Sequence, residues 1–286
     1  MNIDWPSSTN MGTALLRLMH QFDPGRILHD DYVSWFFDES TTANLRNAKT
    51  YVSNNPNDAA QVFSRIAYRY AILREKHIDG IIEHSIETGC RQLLLLGSGY
   101  DTRFFRLPSI RKHSVTTFEV DLPETIKEKM MVLKKRLGSL PTGLSLIPLN
   151  FNENDWDGIV RGGFHPAIPT VYVWQGVSYY LPEQTVFSVL NYIRSKMVAG
   201  SILAFDCCWP LMLTENDEIP GIRFHIERLK QIGEPYIFGM DPKDMQLWLQ
   251  GKGFQNICVS SPNDLEMTYM HSSTLPRKTW YVVTAA

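Results

Sequence analysis

The chain has 286 residues, of which 44% are hydrophobic and 20% are charged, and its formal net charge is −2. This composition supplies a sizeable core and differs from that of a disordered chain. The near-neutral charge gives no general attraction for nucleic acid or an anionic membrane, so we expect neither as a partner. The sequence shows no run of about 18 apolar residues and no basic-then-apolar start. We therefore expect a cytoplasmic protein without a membrane span.

The cysteines and histidines show no pattern typical of a disulfide framework or a metal site. The four cysteines stand at positions 90, 207, 208 and 258, without framework spacing, and we expect them to be reduced. The eight histidines form no HExxH or cysteine–histidine ligand pattern. We therefore expect no bound metal.

The predicted elements change in kind along the chain. Periodicity predicts short helices over 11–22 and 29–37, then a long amphipathic helix from 58 to about 88. Four leucines over 93–96, stopped by Gly97, predict a strand buried on both faces. Further strands are predicted at 115–120, 144–149, 170–174, 201–205, 255–260 and 279–284, with helices between most of them at 123–137, 183–197 and 242–251. This alternation is typical of an α/β fold with a mostly parallel sheet and helices on both faces.

The segment 207–240 interrupts the alternation. It holds prolines at 210, 220 and 235 and a predicted helix at 221–232. An insertion of this length between a strand and its next helix is often a lid or a substrate cover. We expect this role here.

Two local patterns favour an adenosine-containing cofactor. Gly97, Ser98 and Gly99 follow the buried strand, where glycines let the backbone approach a ligand closely. A plain tight turn is the alternative, because the third glycine of the dinucleotide fingerprint is missing. Asp121 ends the next strand, where an acid accepts hydrogen bonds from ribose hydroxyls. An N-cap for the helix that follows is the alternative.

Longer stretches resemble the leucine carboxyl methyltransferase family. RQLLLLGSGYDTRFFRL at 91–107 is similar to the family's strand, glycine turn and following segment, and FEVDLP at 118–123 is similar to its next motif. LREKHID at 73–79, GEPYIFGM at 233–240 and GKGF at 251–254 also match the pattern. The resemblance implies S-adenosyl-L-methionine as cofactor and a Rossmann-like class I methyltransferase sheet of seven strands, the last antiparallel. It also implies an N-terminal helical cap over 1–90 and a cofactor domain over 91–286.

The resemblance further implies roles for individual residues. Arg74 matches the arginine that grips the carboxylate of the cofactor's methionine moiety, with a surface or i,i+4 partner as the alternative. Asp101 matches the aspartate of the family's DTR motif, with a helix cap as the alternative. The residues implied to bind the cofactor are Arg74, Gly97, Ser98, Gly99, Asp101, Asp121, Leu122, Asn150, Phe151 and Gln175.

Two positions depart from the family's pattern. Asn150 and Phe151 stand where the family has an Asp–Leu pair beside the adenine, and an asparagine still pairs with an adenine edge. Gln175 stands where the family has glutamate, which removes a negative charge near the cationic half of the cofactor. We expect this change to affect how the amino group of the methionine moiety is held.

Aromatic and basic side chains near these motifs are candidates for catalysis and substrate binding. Tyr179 and Tyr180 are predicted to act with Gln175 in catalysis, because an aromatic face stabilises a cation by about 0.5–2 kcal/mol. We expect one of the two tyrosines to face the cofactor, since adjacent strand residues point to opposite faces. The predicted substrate-binding residues are Tyr32, Arg103, Arg106 and Trp174, with core packing or carbonyl capping as the alternative.

These residues predict methyl transfer to an oxygen of a small molecule, a carboxylate or a hydroxyl, in natural-product metabolism. No histidine stands beside a recognisable cofactor motif, which favours an acceptor that is already anionic, such as a carboxylate. One alternative is a cyclase, in which the amine of the methionine moiety attacks its own γ-carbon, expels methylthioadenosine and closes azetidine-2-carboxylate. A second alternative is a relative that binds the cofactor without catalysis.

Overall fold

A seven-stranded sheet forms the centre of the fold in a computed structural model, which describes residues 9–47, 58–153 and 155–286. Its strands are β1 (Gln92–Leu96), β2 (Thr116–Asp121), β3 (Leu144–Pro148), β4 (Thr170–Trp174), β5 (Ile202–Cys208), β6 (Cys258–Ser260) and β7 (Trp280–Ala285). They lie in the order β3–β2–β1–β4–β5–β7–β6. Strands β1 to β5 pair in parallel, and β7 is antiparallel to both of its neighbours. The predicted sheet, mostly parallel with an antiparallel last strand, is confirmed.

Helices precede the sheet and connect its strands. The α-helices are α1 (Thr9–Gln21), α2 (Glu39–Asn47), α3 (Ala59–Glu87), α4 (Arg103–Arg106), α5 (Pro108–Lys112), α6 (Pro123–Leu137), α7 (Asp157–Arg161), α8 (Glu183–Lys196), α9 (Ile222–Gln231), α10 (Pro242–Gly251) and α11 (Pro262–Met270). The helix predicted at 29–37 is a 3-10 helix at Asp31–Phe36, whose start is capped by Asp30. Periodicity missed α2, α4, α5, α7 and α11. The capping box of Ser261 and Asp264 that begins α11 was a readable signal.

The long helix α3 begins and ends as its sequence predicts. Asp58 caps it, because the Oδ1 atom of Asp58 accepts a hydrogen bond from Gln61 N at 3.2 Å. The helix ends before Gly89, whose φ of +126° lies outside the range that other residues favour. Its buried side follows one face of the sheet.

Strand β1 lies at the middle of the sheet and is buried on both faces. Leu93 and Leu95 pack in the same cluster as Ile82 of α3, whereas Leu94 and Leu96 pack with Val186 of α8 on the other face. The alternation of side chains along a strand sends neighbouring leucines into opposite layers. A continuous apolar run is therefore what this position requires.

The carboxyl ends of β1, β2 and β4 meet at one edge of the sheet, because these strands are parallel. The chain order reverses between β1 and β4, and ligands of open α/β sheets bind outside such a point. Gly97 follows β1, Asp121 ends β2 and Gln175 follows β4. The topology therefore brings three of the predicted site residues together.

The segment 207–240 places α9 against α3. Gly221 precedes α9 with a φ of +78°, and a Cβ atom there would lie 2.0 Å from the carbonyl oxygen of Ala59. This close approach requires glycine. The helix predicted at 221–232 is confirmed, and the role of the segment as a lid stays a prediction, as does the division at residue 90. No helix among the described residues is long and apolar enough to cross a membrane.

Candidate cofactor and acceptor site

The glycine turn after β1 is tightly packed against the sheet. Both Gly97 N and Ser98 N donate to Val120 O, at 2.8 and 3.0 Å. Gly97 has a φ of +69°, and a Cβ atom on it would lie 2.3 Å from Cγ2 of Val177. The hydroxyl of Ser98 is buried and has no hydrogen-bond partner among the described residues. An orphaned polar atom beside a glycine cradle fits a bound polar ligand.

Asp121 faces this turn from the end of β2. Its Oδ2 accepts from Gly99 N at 2.6 Å and its Oδ1 accepts from Leu122 N at 2.7 Å. Burial raises the pKa of the Asp121 carboxyl. The N-cap residue of α6 is Leu122, so the alternative of Asp121 as the helix cap is not supported. Leu122 itself is 47% exposed, an apolar side chain at the edge where a ligand face is expected.

Arg103 lies in a buried ionic network below the turn. Its Nε donates to Asp79 Oδ1 at 2.8 Å, and its Nη1 donates to Asp101. Its Nη2 donates to Gln175 Oε1 at 2.7 Å and lies 3.0 Å from Glu75 Oε1. Gln175 Nε2 donates in turn to Glu75 Oε2 at 2.6 Å. The glutamine that replaces the family's glutamate is thus oriented from both ends, and a carboxylate stands next to it.

The carboxylates of this network are already paired with arginines. Burial alone would raise the pKa of Glu75, but Arg103, Arg17 and Arg106 lower it well below its usual range. Arg106 Nη2 donates to Glu75 at 2.6 Å. Asp101 gives both oxygens to Arg103, because Oδ1 accepts from the backbone N–H of that arginine at 2.7 Å. Asp101 thus accepts from the first N–H of α4, but the N-cap residue of this helix is Thr102.

Arg74 is buried and reaches across the fold. Its Nη1 donates to Tyr179 Oη at 3.1 Å and pairs with Asp206 of β5. Asp206 Oδ1 also accepts from Gly176 N at 2.6 Å. A surface role for Arg74 does not fit its 4% exposure, but an i,i+4 partner is present, because its guanidinium lies 5.5 Å from the ring centroid of Tyr70. Its contact with the cofactor carboxylate stays a prediction.

Two adjoining cavities open beside these residues. The smaller, of about 60 Å³, is lined by the glycine turn, Glu75, Asp101, Arg103 and Gln175. The larger, of about 350 Å³, lies under α1, α3 and α9. Both are lined by Asn10, Thr13, Arg74 and Gly176. A ligand in the smaller cavity would therefore face a ligand in the larger one across this shared wall.

Aromatic side chains make up much of the larger cavity. Tyr179 and Tyr180 both line it, and their rings lie 4.4 and 5.1 Å from the ring of Tyr236. The assumption that strand alternation sends the two tyrosines to opposite faces is wrong, because they belong to a 3-10 helix and not to a strand. Contact of either tyrosine with the cofactor stays a prediction. The full aromatic set is Phe63, Tyr70, Tyr179, Tyr180, Phe224, Tyr236 and Trp280.

The structure corrects two predicted substrate residues. Trp174 is fully buried and packs near Phe205, and it lines neither cavity. Its neighbour Val173 lines the smaller cavity, so Trp174 points into the opposite layer, as strand alternation requires. Tyr32 packs against Trp35 and Phe105, with ring centroids at 5.0 and 5.5 Å, and also lines neither cavity.

The other predicted contacts lie at or below the same edge. Asn150 and Phe151 follow β3, and Leu149 N donates to Asp121 O at 2.8 Å, so the pair lies beside Asp121. Asn150 Nδ2 donates to Glu153 at 3.2 Å, and Phe151 is buried. Their contact with adenine stays a prediction. The substrate roles of Arg103 and Arg106 also stay predictions, although both guanidinium groups are held by protein carboxylates.

Sequence reasoning missed several cavity residues, because they come from elements far from the motifs. Asp206 was readable in part, since a charged residue inside a buried strand needs a partner. Neither α1 nor α9 carries a motif that predicts contact with the site. The cavity residues missed are Asn10, Thr13, Tyr70, His225 and Arg228. Asp206 lines neither cavity and was missed as the partner of Arg74.

His225 gives a testable pH dependence. Burial lowers its pKa to about 3, against about 6.5 in an unfolded chain. Below about pH 6.5 the unfolded chain therefore binds a proton that the folded chain does not. The stability that the neutral His225 contributes to the fold is present above that pH and is lost as the pH falls. At about 1.4 kcal/mol per pH unit, we expect wild type to lose roughly 2 kcal/mol more than His225→Phe between about pH 7 and 5. Urea unfolding at both pH values measures this, with the exposed His84→Phe as control, and equal losses in wild type and His225→Phe would contradict it.

Comparisons with known proteins agree with this geometry. A sequence model of the family described as leucine carboxyl methyltransferase matches residues 10–194. A Streptomyces coelicolor protein that carries the name of an S-adenosyl-L-methionine-dependent methyltransferase is 29% identical over 230 residues, covering 78% of this chain and 75% of that protein. A Frankia alni protein with a name of the same kind is 27% identical over 257 residues, covering 87% and 82%.

Solved structures share the fold at low sequence identity. A DUF574 family protein from Streptomyces avermitilis aligns with a TM-score of 0.59 and 10% identity, covering 94% of this chain and 95% of that one. A protein from Thermobifida fusca, described as a methyltransferase, aligns with a TM-score of 0.54 and 14% identity, covering 99% and 98%. Because the family match spans more than half of the chain, the chain belongs to the leucine carboxyl methyltransferase family.

Proposed function

We propose that this chain is an S-adenosyl-L-methionine-dependent O-methyltransferase whose acceptor is a small molecule with a carboxylate or a hydroxyl. The observation that carries the proposal is the aromatic cavity of about 350 Å³ that shares a wall with the smaller, glycine-lined cavity. A cavity this size is in the range of small-ligand sites. It has no use in a reaction that needs the cofactor alone.

The residues present fit the cofactor. Asp121 offers a carboxylate to ribose hydroxyls, the orphaned Ser98 hydroxyl lies in the turn, and Arg74 lines the cavity wall. S-adenosyl-L-methionine, when bound, supplies an activated methyl group. In the transfer an O–CH₃ bond forms as the S–CH₃ bond breaks, which leaves S-adenosylhomocysteine and, from a carboxylate, a neutral ester.

The protein's part in such a transfer is positioning and the exclusion of water. Tyr179 and Tyr180 bring aromatic faces to the region where the two cavities meet, which suits a sulfonium. The sequence favoured a carboxylate because no histidine stood near a motif. His225 now lines the larger cavity, so that argument no longer separates a carboxylate from a hydroxyl.

A second candidate is the cyclase, and the charge state of the smaller cavity favours it. Its two lining carboxylates, Glu75 and Asp101, are both paired with arginines. A cofactor ammonium held there would gain no free carboxylate, which favours the neutral amine that cyclisation needs. The cyclase needs no acceptor and would leave the distal part of the larger cavity without a ligand, and we therefore rank it second.

Incubation of the purified protein with S-adenosyl-L-methionine alone separates the candidates. Mass spectrometry of the products is expected to show intact, bound cofactor and no methylthioadenosine. Methylthioadenosine together with azetidine-2-carboxylate would replace the methyltransferase with the cyclase. Failure of the cofactor to bind in calorimetry would contradict both and leave a non-catalytic relative. Asp121→Ala, which is designed to remove the ribose contact, controls for products formed without the site.

A further inference from the structure

Helix α9 presents one face to the larger cavity. The residues that line the cavity are Phe224, His225, Arg228, Leu229 and Ile232. Their spacing of one, three, one and three positions places them on a single side of a helix. None of these residues lines the smaller cavity, whereas Arg74 and Gly176 line both cavities. Within the larger cavity, the α9 wall is therefore the distal end of the acceptor site.

The charges of the larger cavity are unbalanced. Among the described residues, no aspartate or glutamate lines it. Arg74 is paired with Asp206, whereas the half-buried side chain of Arg228 has no ion pair or hydrogen bond among the described residues. A planar guanidinium binds a carboxylate through two parallel hydrogen bonds. The cavity therefore favours an anionic group at its distal end.

The cavity walls are shaped for a ring. The rings of Phe63 and His225 stack at 4.4 Å, those of Tyr70 and Trp280 stack at 4.9 Å, and Tyr236 lies beside them. A cavity of about 150 Å³ holds benzene, so one of about 350 Å³ admits a substituted ring.

Two buried polar atoms of the same walls support a polar ligand. Tyr70 Oη and His225 Nε2 have no hydrogen-bond partner among the described residues. Leaving such an atom unpaired in a buried place is unfavourable, and a ligand that pairs with it would recover part of this cost. Substituents on the ring would meet these atoms.

We propose that the acceptor is a small aromatic acid, with its carboxylate on Arg228 and its ring among Phe63, Tyr70, Tyr236 and Trp280. A hydroxyl at the opposite end of the molecule lies beside Tyr179 and accepts the methyl group: its O–CH₃ bond forms as the S–CH₃ bond breaks, and its proton is released to solvent. This inference rests on the proposed function and adds the substrate class. Arg228 sets specificity through the distal carboxylate and does not touch the reacting atoms.

Calorimetry with matched acids and amides tests the proposal on the full chain saturated with S-adenosylhomocysteine. The probes are 4-hydroxyphenylacetate, 5-hydroxyindole-3-acetate and their two amides. We expect at least one acid to bind about 10-fold more tightly than its amide. Arg228→Gln is expected to abolish this preference, because it weakens the binding of the acid and leaves the binding of the amide unchanged. The control Arg223→Gln, on the exposed side of the same helix, is expected to keep it.

Each other outcome overturns the inference. Three outcomes would contradict the aromatic acid as acceptor: equal binding of acids and amides, an unchanged preference in Arg228→Gln, or no binding of any probe. None of these would contradict the proposed methyltransferase function. Failure of S-adenosylhomocysteine to bind would remove the proposed function as well. Unfolding midpoints of both variants within about 2 °C of wild type would show that the fold is unchanged.

Discussion

Asp121→Ala is expected to weaken S-adenosylhomocysteine binding at least about 100-fold, because hydrogen bonds to a charged acceptor contribute about 1.5–3 kcal/mol each. The carboxylate also accepts from Gly99 N and Leu122 N, so its removal loosens the turn that faces the ligand. Asp121→Asn keeps one acceptor oxygen and is expected to lose about 10-fold. Isothermal titration with S-adenosylhomocysteine measures both affinities.

The control for Asp121 is an aspartate on the surface, away from the predicted cofactor site. Asp217 has a side chain that is 95% exposed and pairs with Arg223 at 3.3 Å on the surface. Asp217→Ala is expected to leave the affinity unchanged. Binding by Asp121→Ala within about threefold of wild type would show that the acid at the end of β2 does not hold the ribose.

The fold was predictable because its signals are local. The leucines of β1 indicate a strand buried on both faces. The apolar residues change from a period of 3.6 to a continuous run, which marks where α3 ends and the sheet begins. The short or polar helices α2 and α7 have too few turns for a period to appear. The 3-10 helix at Ser178–Tyr180 is also too short to show a period. For this reason Tyr179 and Tyr180 were treated as strand residues that point to opposite faces.

The site was predictable only where it lies at strand ends. Gly97, Asp121 and Gln175 stand at the carboxyl ends of neighbouring strands, so their meeting follows from topology. His225 and Arg228 reach the same site from α9, through tertiary packing against α3. No spacing of residues in the sequence predicts the contact between α9 and α3. Trp174 was misplaced for a separate reason, because periodicity does not tell which face of β4 holds the ligand.

Arg103→Ala is expected to lower the free energy of unfolding by about 3–5 kcal/mol, the cost of breaking a buried ion pair by removing one partner. The guanidinium is 1% exposed and meets Asp79, Asp101 and Glu75, so its loss leaves buried carboxylates facing each other. Arg103→Lys is expected to recover less than half of this, because an ammonium lacks the planar fork. Urea unfolding measures all three proteins.

The matched control for Arg103 is an arginine–aspartate pair on the surface. Arg161 donates to Asp155 at 2.6 Å with its side chain 65% exposed, and Arg161→Ala is expected to cost at most about 1 kcal/mol. Because Arg103 also holds the amide of Gln175, the Arg103→Lys protein is expected to bind S-adenosylhomocysteine more weakly. If Arg103→Ala unfolds like wild type and only the KM for the acceptor rises, Arg103 binds substrate, as its place in the sequence motif first indicated. If stability and cofactor affinity fall together, its guanidinium is a positioning group that links the helix before β1 to the residue after β4.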